Sequence, residues 1–167
     1  MSVGISLEEL LAWNDQAAGY WYEHFDINPS LLEGPCDIGG TRNVQEFVRH
    51  IWLVELRWGQ RLAGLPVLSK EAAPSGPLEA LFNLHREAME VFRNLLGAPE
   101  QTWNDVYKIE LGGMHIPDDL GQPSRRKVAA HALFHSQRHY AQLATLVRQA
   151  GLPARVGGDL LFSPALR

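Results

Sequence analysis

The sequence predicts an all-α fold, a four-helix bundle with a short hairpin or irregular segment before the last helix. Two observations predict it: apolar residues recur at helical spacing in four separate stretches, and clusters of glycine and proline separate these stretches. A chain of 167 residues is long enough for four such helices to bury one common core. We therefore expect residues 1–167 to form a single domain.

The first helix has a clear start signal. Ser6 and Glu9 have the spacing of a capping box, in which each side chain satisfies a free backbone amide of the first turn. Apolar residues at helical spacing then continue to about Phe25, where we expect the helix to end. Residues 26–42 are rich in glycine and proline and therefore predict a loop.

The second and third helices are bounded by similar signals. Asn43 is a suitable N-cap for the second helix, and Gly64 stops it. Pro77 has the fixed φ angle that suits the first position of the third helix, which Gly97 ends.

The segment before the last helix has a different pattern. Residues 106–111 alternate in polarity, and Gly112 and Gly113 stand before residues 114–116, which predicts a short hairpin with a two-residue turn. Such a hairpin is marginal alone, so we expect it to lie across the bundle.

The last helix is the longest. Ser124 is the expected N-cap, the apolar pattern continues to about Ala150, and Gly151 and Pro153 close it.

Charge and composition argue against two classes of protein. The net charge is −4, and basic residues are concentrated only at Arg125, Arg126 and Lys127, so we expect no nucleic-acid partner. No apolar stretch approaches the roughly 20 residues that cross a bilayer, and no signal peptide is visible at the N-terminus. With Cys36 as the single cysteine, no intrachain disulfide and no cysteine-based zinc site can form. We therefore expect a cytoplasmic protein with no membrane association.

Three histidines share one face of the last helix. His131, His135 and His139 are spaced four residues apart, so each imidazole lies one turn from the next. Two histidines at this spacing can reach a common metal ion. The same face carries Ala132 and Leu146, which indicates that the rings point inward. The alternative is that they are ordinary histidines with hydrogen-bonded ring nitrogens.

A third ligand must come from another helix, and His50 is the best candidate. On the second helix it lies close to Phe47 and Val54, at the edge of the apolar stripe. A lone histidine in such a position is more often structural, so both interpretations remain open from the residues alone.

Two segments resemble the DinB-like superfamily. Residues 130–143 are similar to its last-helix signature of two histidines four apart followed by glutamine, and residues 44–55 are similar to its second-helix segment with one histidine. The resemblance implies a four-helix bundle in which His50, His135 and His139 form a metal triad. It also implies a homodimer.

One departure from the family pattern concerns the residues after the second histidine. Many relatives have His-Arg-Gly-Gln where this chain has His139, Tyr140, Ala141 and Gln142. A function that needs a guanidinium at that position is therefore in doubt. His131 would be a neighbour of the triad, able to support or substitute for a ligand.

A three-histidine site leaves a divalent ion with its full charge and an open position for water or substrate. Imidazole suits zinc, nickel, copper and iron, and we favour zinc or nickel. Some relatives are thiol-dependent transferases or isomerases that use bacillithiol or mycothiol. The resemblance therefore predicts a metal-dependent thiol S-transferase or related hydrolase with a low-molecular-weight thiol or other small-molecule partner. The alternative is a non-catalytic metal-binding stress-response bundle.

No catalytic residue beyond the ligands is identifiable. Four polar residues lie within about a turn of the ligands and either support the site or face solvent: Glu46, Glu55, Tyr140 and Gln142. Three other histidines are interpreted as ordinary partly buried or surface residues: His24, His85 and His115. Aromatic residues around the first and last helices, such as Trp13, Tyr22 and Phe134, suggest more apolar surface than one bundle buries, which also favours a homodimer.

Overall fold

The computed structural model describes residues 4–109, 121–153 and 160–163. These residues form four long helices and one short one, in the order α1 (Leu7–Ile27), α2 (Val44–Ala63), α3 (Leu78–Leu96), α4 (Glu100–Asn104) and α5 (Arg125–Gln149). Short 3-10 turns occupy Pro29–Glu33, Ile38–Gly40 and Leu160–Phe162. The predicted all-α bundle is confirmed.

The four long helices pack in a closed ring. α2 contacts α3 and α5, and α1 contacts the same two helices on the other side. α2 is buried along most of its length, because eleven of its residues lie in the core. Each long helix therefore presents side chains to the shared interior, as expected for a bundle.

The predicted caps form as expected. The Ser6 hydroxyl accepts from the Glu9 amide at 3.1 Å while the Glu9 carboxylate accepts from the Ser6 amide at 2.6 Å. The side chain of Asn43 accepts from the Glu46 amide at 2.8 Å. The Ser124 hydroxyl accepts from the backbone of the first turn of α5 in the same way. These bonds satisfy amides that the helices cannot pair internally.

One of two further helix boundaries matches its prediction, and the other does not. α2 ends at Gly64, whose φ of 68° lies in the left-handed region that glycine adopts without strain. Pro77 is the residue before α3 rather than its first helical residue, with an extended ψ of 161°. The prediction for Pro77 was therefore wrong by one position, since the proline stands at the cap and Leu78 is the first helical residue.

The segment before α5 is only partly described. Val106 and Ser124 form an isolated antiparallel bridge, and the Tyr107 amide donates to the Pro123 carbonyl at 2.8 Å. This pairing brings the two ends of the segment together at the start of α5. The predicted hairpin turn at Gly112 and Gly113 lies outside the described residues. Among the helices that are described, none is long and apolar enough to cross a bilayer.

Candidate metal site

The structure brings His50, His135 and His139 together between α2 and α5. One potential ligand atom from each residue lies within 4.8 Å of those of the other two. The Nε2 atoms of His135 and His139 are 3.1 Å apart. The ring of His50 lies 5.5 Å from the ring of His135 and 5.4 Å from that of His139, measured between centroids. Three imidazoles from distant parts of the sequence therefore surround one point.

Helix geometry explains this convergence. His135 and His139 are one turn apart on α5, so their rings lie on one face, 4.3 Å apart between centroids. Phe47, three residues before His50 on α2, is fully buried. Its ring stacks on His50 at 6.4 Å and meets the edge of His139 at 5.0 Å. The ring of Phe47 thus packs against two of the three imidazoles.

The nitrogen atoms of His135 and His139 suit a cation better than a set of protein hydrogen bonds. Nδ1 of His139 lies 2.5 Å from Oε1 of Gln142, an acceptor, so this nitrogen carries the proton and Nε2 presents its lone pair. Nδ1 of His135 is buried and has no hydrogen-bond partner among the described residues. Around a tetrahedral ion with metal–nitrogen bonds of 2.0–2.1 Å, neighbouring nitrogens lie about 3.3 Å apart, close to the observed 3.1 Å. The donor set therefore fits a transition metal.

The site keeps its imidazoles neutral. Burial lowers the pKa of His50 to about 4, and the neighbouring ring of His139 and the charges of Lys70 and Arg138 lower it further. Burial also lowers the pKa of His135 to about 3, with further lowering by the neighbouring histidines and Arg138. The pKa of His139 is lowered by burial too. Near neutral pH all three rings therefore have a lone pair available for a metal.

His131 does not join the group of three. It is exposed, its ring centroid is 6.1 Å from that of His135, and its ring meets the edge of Trp58 at 5.9 Å. It lies one turn of α5 away from His135, so it can serve as a control residue in experiments on the triad.

The four other polar candidates have different surroundings. Gln142 contacts His139 directly, as described above. The Tyr140 hydroxyl accepts from the indole nitrogen of Trp52 at 3.0 Å inside the core. Glu46 pairs with Arg42 at the start of α2, away from the core. Of the four candidates, only Gln142 forms a hydrogen bond to a histidine of the triad among the described residues. Glu55 belongs to a separate cluster.

Cys36 is buried in the loop between α1 and α2. Its sulfur accepts a hydrogen bond from the Thr41 hydroxyl at 3.3 Å. A redox role would require an exposed thiol, so the structure does not favour one.

His85 has surroundings that the sequence did not predict. Its side chain is fully buried on α3, with Nδ1 at 2.7 Å from Oε2 of Glu55 and Nε2 at 3.1 Å from Oδ1 of Asp15. It was interpreted as an ordinary histidine, although it lies on the apolar stripe of its helix. A titratable residue on such a stripe is the signal that could have identified a buried ion pair.

Comparison with known proteins agrees with this fold. No curated protein matches the chain. The model of the DinB family matches residues 1–161, which is nearly the whole length of 167 residues. The chain therefore belongs to the DinB family.

Proposed function

We propose that His50, His135 and His139 bind one divalent transition metal, zinc or nickel, and that the site serves a thiol S-transferase or a related hydrolase. The observation that carries the proposal is the convergence of three neutral imidazoles on one point. The contact between His139 and Gln142 supports it, because metal-binding histidines usually donate their other ring nitrogen to a nearby acceptor.

The make-up of the site favours chemistry over a closed structural ion. Within the described ranges, the group contains three nitrogen ligands and no carboxylate or thiolate. Three ligands leave a coordination position for a small molecule, whereas structural zinc sites have four protein ligands. A metal bound there would polarise an oxygen, or lower the pKa of a bound thiol or water until the anion is the nucleophile.

The charges around the site favour an anion. Arg138 and Lys70 act electrostatically on the triad, and their effect lowers the pKa of His50. Neither side chain forms a salt bridge to another described residue. Opposite charge attracts a thiolate to such a site and stabilises it there. These two side chains would thus help to bind and orient an anionic thiol.

Metal content is the first test. Protein purified from cells is analysed by elemental mass spectrometry, as wild type, as the triple variant with His50, His135 and His139 replaced by alanine, and as His131→Ala. We expect about one zinc or nickel per chain in wild type and in His131→Ala, and none in the triple variant. Equal metal content in the triple variant would show that the ion, if any, lies elsewhere.

The second test asks whether a thiol reaches the metal. Protein loaded with Co²⁺ is titrated with bacillithiol or mycothiol, and the visible absorption spectrum is followed. We expect a sulfur-to-cobalt charge-transfer band and, with an electrophilic fluorogenic acceptor, metal-dependent formation of the thioether. A spectrum that no thiol changes, with metal still bound, would favour the non-catalytic stress-response bundle, in which the ion ties α2 to α5.

A homodimer and a cytoplasmic location are further parts of the proposal. The aromatic residues that suggested a dimer are mostly covered within the chain: Trp13 and Tyr22 are partly buried, whereas Phe134 on α5 is 52% exposed. Phe134 is therefore the residue around which we expect the contact between subunits. Light scattering of wild type and Phe134→Glu tests this, with a dimer expected for the first and a monomer for the second.

A further inference from the structure

A polar cluster lies in the core next to the metal site, and its centre is the fully buried carboxylate of Glu55 on α2. Oε1 of this carboxylate accepts hydrogen bonds from the amide of Asn14 on α1 and, at 3.1 Å, from the hydroxyl of Ser136 on α5. Oε2 lies 2.7 Å from Nδ1 of His85 on α3. One carboxylate therefore joins all four long helices.

The cluster continues to the surface as a row of alternating charges. Nε2 of His85 donates to Asp15 at 3.1 Å, and the other oxygen of Asp15 accepts from Arg93 at 2.6 Å. Burial opposes the charge of His85, but the carboxylates of Glu55 and Asp15 outweigh it and raise the pKa of His85 to about 9. Buried ion pairs of this kind add little net stability compared with apolar packing. Stability alone therefore does not account for this cluster.

The cluster reaches the metal site through α5. Ser136 and Gln137 directly follow His135, and Gln137 donates to the side-chain oxygen of Asn14 at 3.0 Å. The Ser136 hydroxyl is fully buried and donates to Glu55. Two hydrogen bonds to two different helices therefore hold the turn of α5 that carries His135.

Polar contacts restrict this turn in a way that apolar packing does not. The burial of apolar surface is not directional, so it fixes the rotation of a helix less strictly than a hydrogen bond does. A buried donor that loses its acceptor costs about 1–3 kcal/mol, and more when the group is charged. A rotation of α5 that parts Ser136 from Glu55 would leave the hydroxyl with the carbonyl of Ala132 at 3.5 Å in its own helix, a much weaker contact, so such a rotation is opposed.

We propose that Glu55 is a positioning residue for the metal site: through Ser136 it holds His135 and His139 where one ion can also reach His50. Glu55 and His50 lie on the same helix, so the carboxylate anchors α5 to the element that supplies the third imidazole. The inference rests on the proposed metal binding. It explains how the three ligands are held in place before the ion binds.

The test separates positioning from general stability. Glu55→Gln would leave the charged ring of His85 with Asp15 as its remaining counter-ion and so would disturb the core. Ser136→Ala is therefore the main variant, because it removes one hydrogen bond to the cluster. Val147→Ala is the control, since Val147 is also buried on α5 and forms no polar contact in the core. Co²⁺ affinity is measured by competition with a chelator, together with the visible spectrum of the bound ion and the melting temperature of the metal-free protein.

We expect Ser136→Ala to weaken Co²⁺ binding at least tenfold and to change the spectrum of the bound ion. Val147→Ala should lower the melting temperature by as much or more while affinity and spectrum stay as in wild type. Affinity within twofold of wild type in Ser136→Ala, or equal weakening in Val147→Ala, would overturn the positioning role alone. A wild-type protein that binds no Co²⁺ would overturn the proposed function and this inference together.

Discussion

Nδ1 of His85 and Oε2 of Glu55 lie 2.7 Å apart, and both side chains are fully buried between α3 and α2. The imidazole donates from both nitrogens, because Asp15 accepts from Nε2. A ring that donates at both positions is protonated. The core of this bundle therefore contains a charged histidine as well as the neutral histidines of the candidate metal site.

The stability of the protein should fall at alkaline pH. The pKa of His85 is raised from 6.5 to about 9, so the folded state keeps a proton that the unfolded state loses first. The contribution is complete below pH 6.5 and disappears as the pH rises through 9. At about 1.4 kcal/mol per pKa unit it amounts to about 3 kcal/mol. Urea unfolding of the metal-free protein between pH 6 and 10 measures it.

His85→Gln is the matched control for this pH dependence. It removes the titrating group, so its free energy of unfolding should be nearly flat between pH 6.5 and 9. His50 and His135 have lowered pKa values and titrate below this window, so they do not contribute to it. A wild-type curve as flat as that of the variant would contradict a protonated His85.

The Glu55–His85 pair should show strong coupling in a double-mutant cycle. His85→Leu leaves the Glu55 carboxylate buried without a counter-ion, and Glu55→Leu leaves the His85 ring with Asp15 as its remaining one. Breaking a buried pair in this way costs about 3–5 kcal/mol. The double variant should cost less than the sum of the two by about 1–3 kcal/mol. The exposed pair of Arg86 and Glu79, each side chain 51% exposed, provides a comparison. Its coupling should be clearly smaller because solvent screens exposed charges, and equal coupling in the two cycles would contradict an effect of burial on the coupling.

Two helical glycines should respond oppositely to alanine. Gly19 in α1 has no atom within 4 Å of an added Cβ, so Gly19→Ala should stabilise the protein by about 1 kcal/mol through helix propensity. At Gly59 in α2 an added Cβ would lie 3.3 Å from both Phe92 and Val91 of α3. We expect Gly59→Ala to destabilise by about 1–2 kcal/mol, because crowding in a packed core outweighs the gain in propensity. Urea midpoints that rise for both variants would show that the side chains of Phe92 and Val91 shift enough to accept the added methyl group.

Most of the fold could be predicted because its signals are local. The caps at Ser6, Asn43 and Ser124 and the stop at Gly64 each depend on residues a few positions apart, and all four are confirmed. α4 was not predicted, since a helix of five residues is too short to show a periodic pattern.

The parts of the site whose residues are close in sequence were easier to predict than the parts whose residues are far apart. His135 and His139 are four residues apart on one helix, and their shared face follows from helix geometry alone. His50 was the best candidate from its place at the edge of the apolar stripe, and the resemblance to a family supported it, because no pattern in α2 shows which residue of α5 it meets. The contact between Glu55 and His85 joins residues 30 positions apart, and no local pattern indicates that they pair in the core.

Gln142 should control how tightly the metal binds. Its Oε1 accepts from Nδ1 of His139 at 2.5 Å, which fixes the ring and its protonated nitrogen. Removing such a partner typically reduces metal affinity 10- to 100-fold, so we expect Gln142→Ala to weaken Co²⁺ binding by about that factor. Thr145→Ala is the control, because Thr145 lies three residues further along α5 and its side-chain hydrogen bonds, to Ala141 and Arg148, stay within that helix. Competition with a chelator measures the Co²⁺ affinity of both variants. A third variant, Gln142→Glu, should bind Co²⁺ nearly as tightly as wild type, because its carboxylate still accepts from Nδ1. Loss of affinity in Gln142→Glu as large as in Gln142→Ala would show that the amide acts in some way other than by accepting this hydrogen bond.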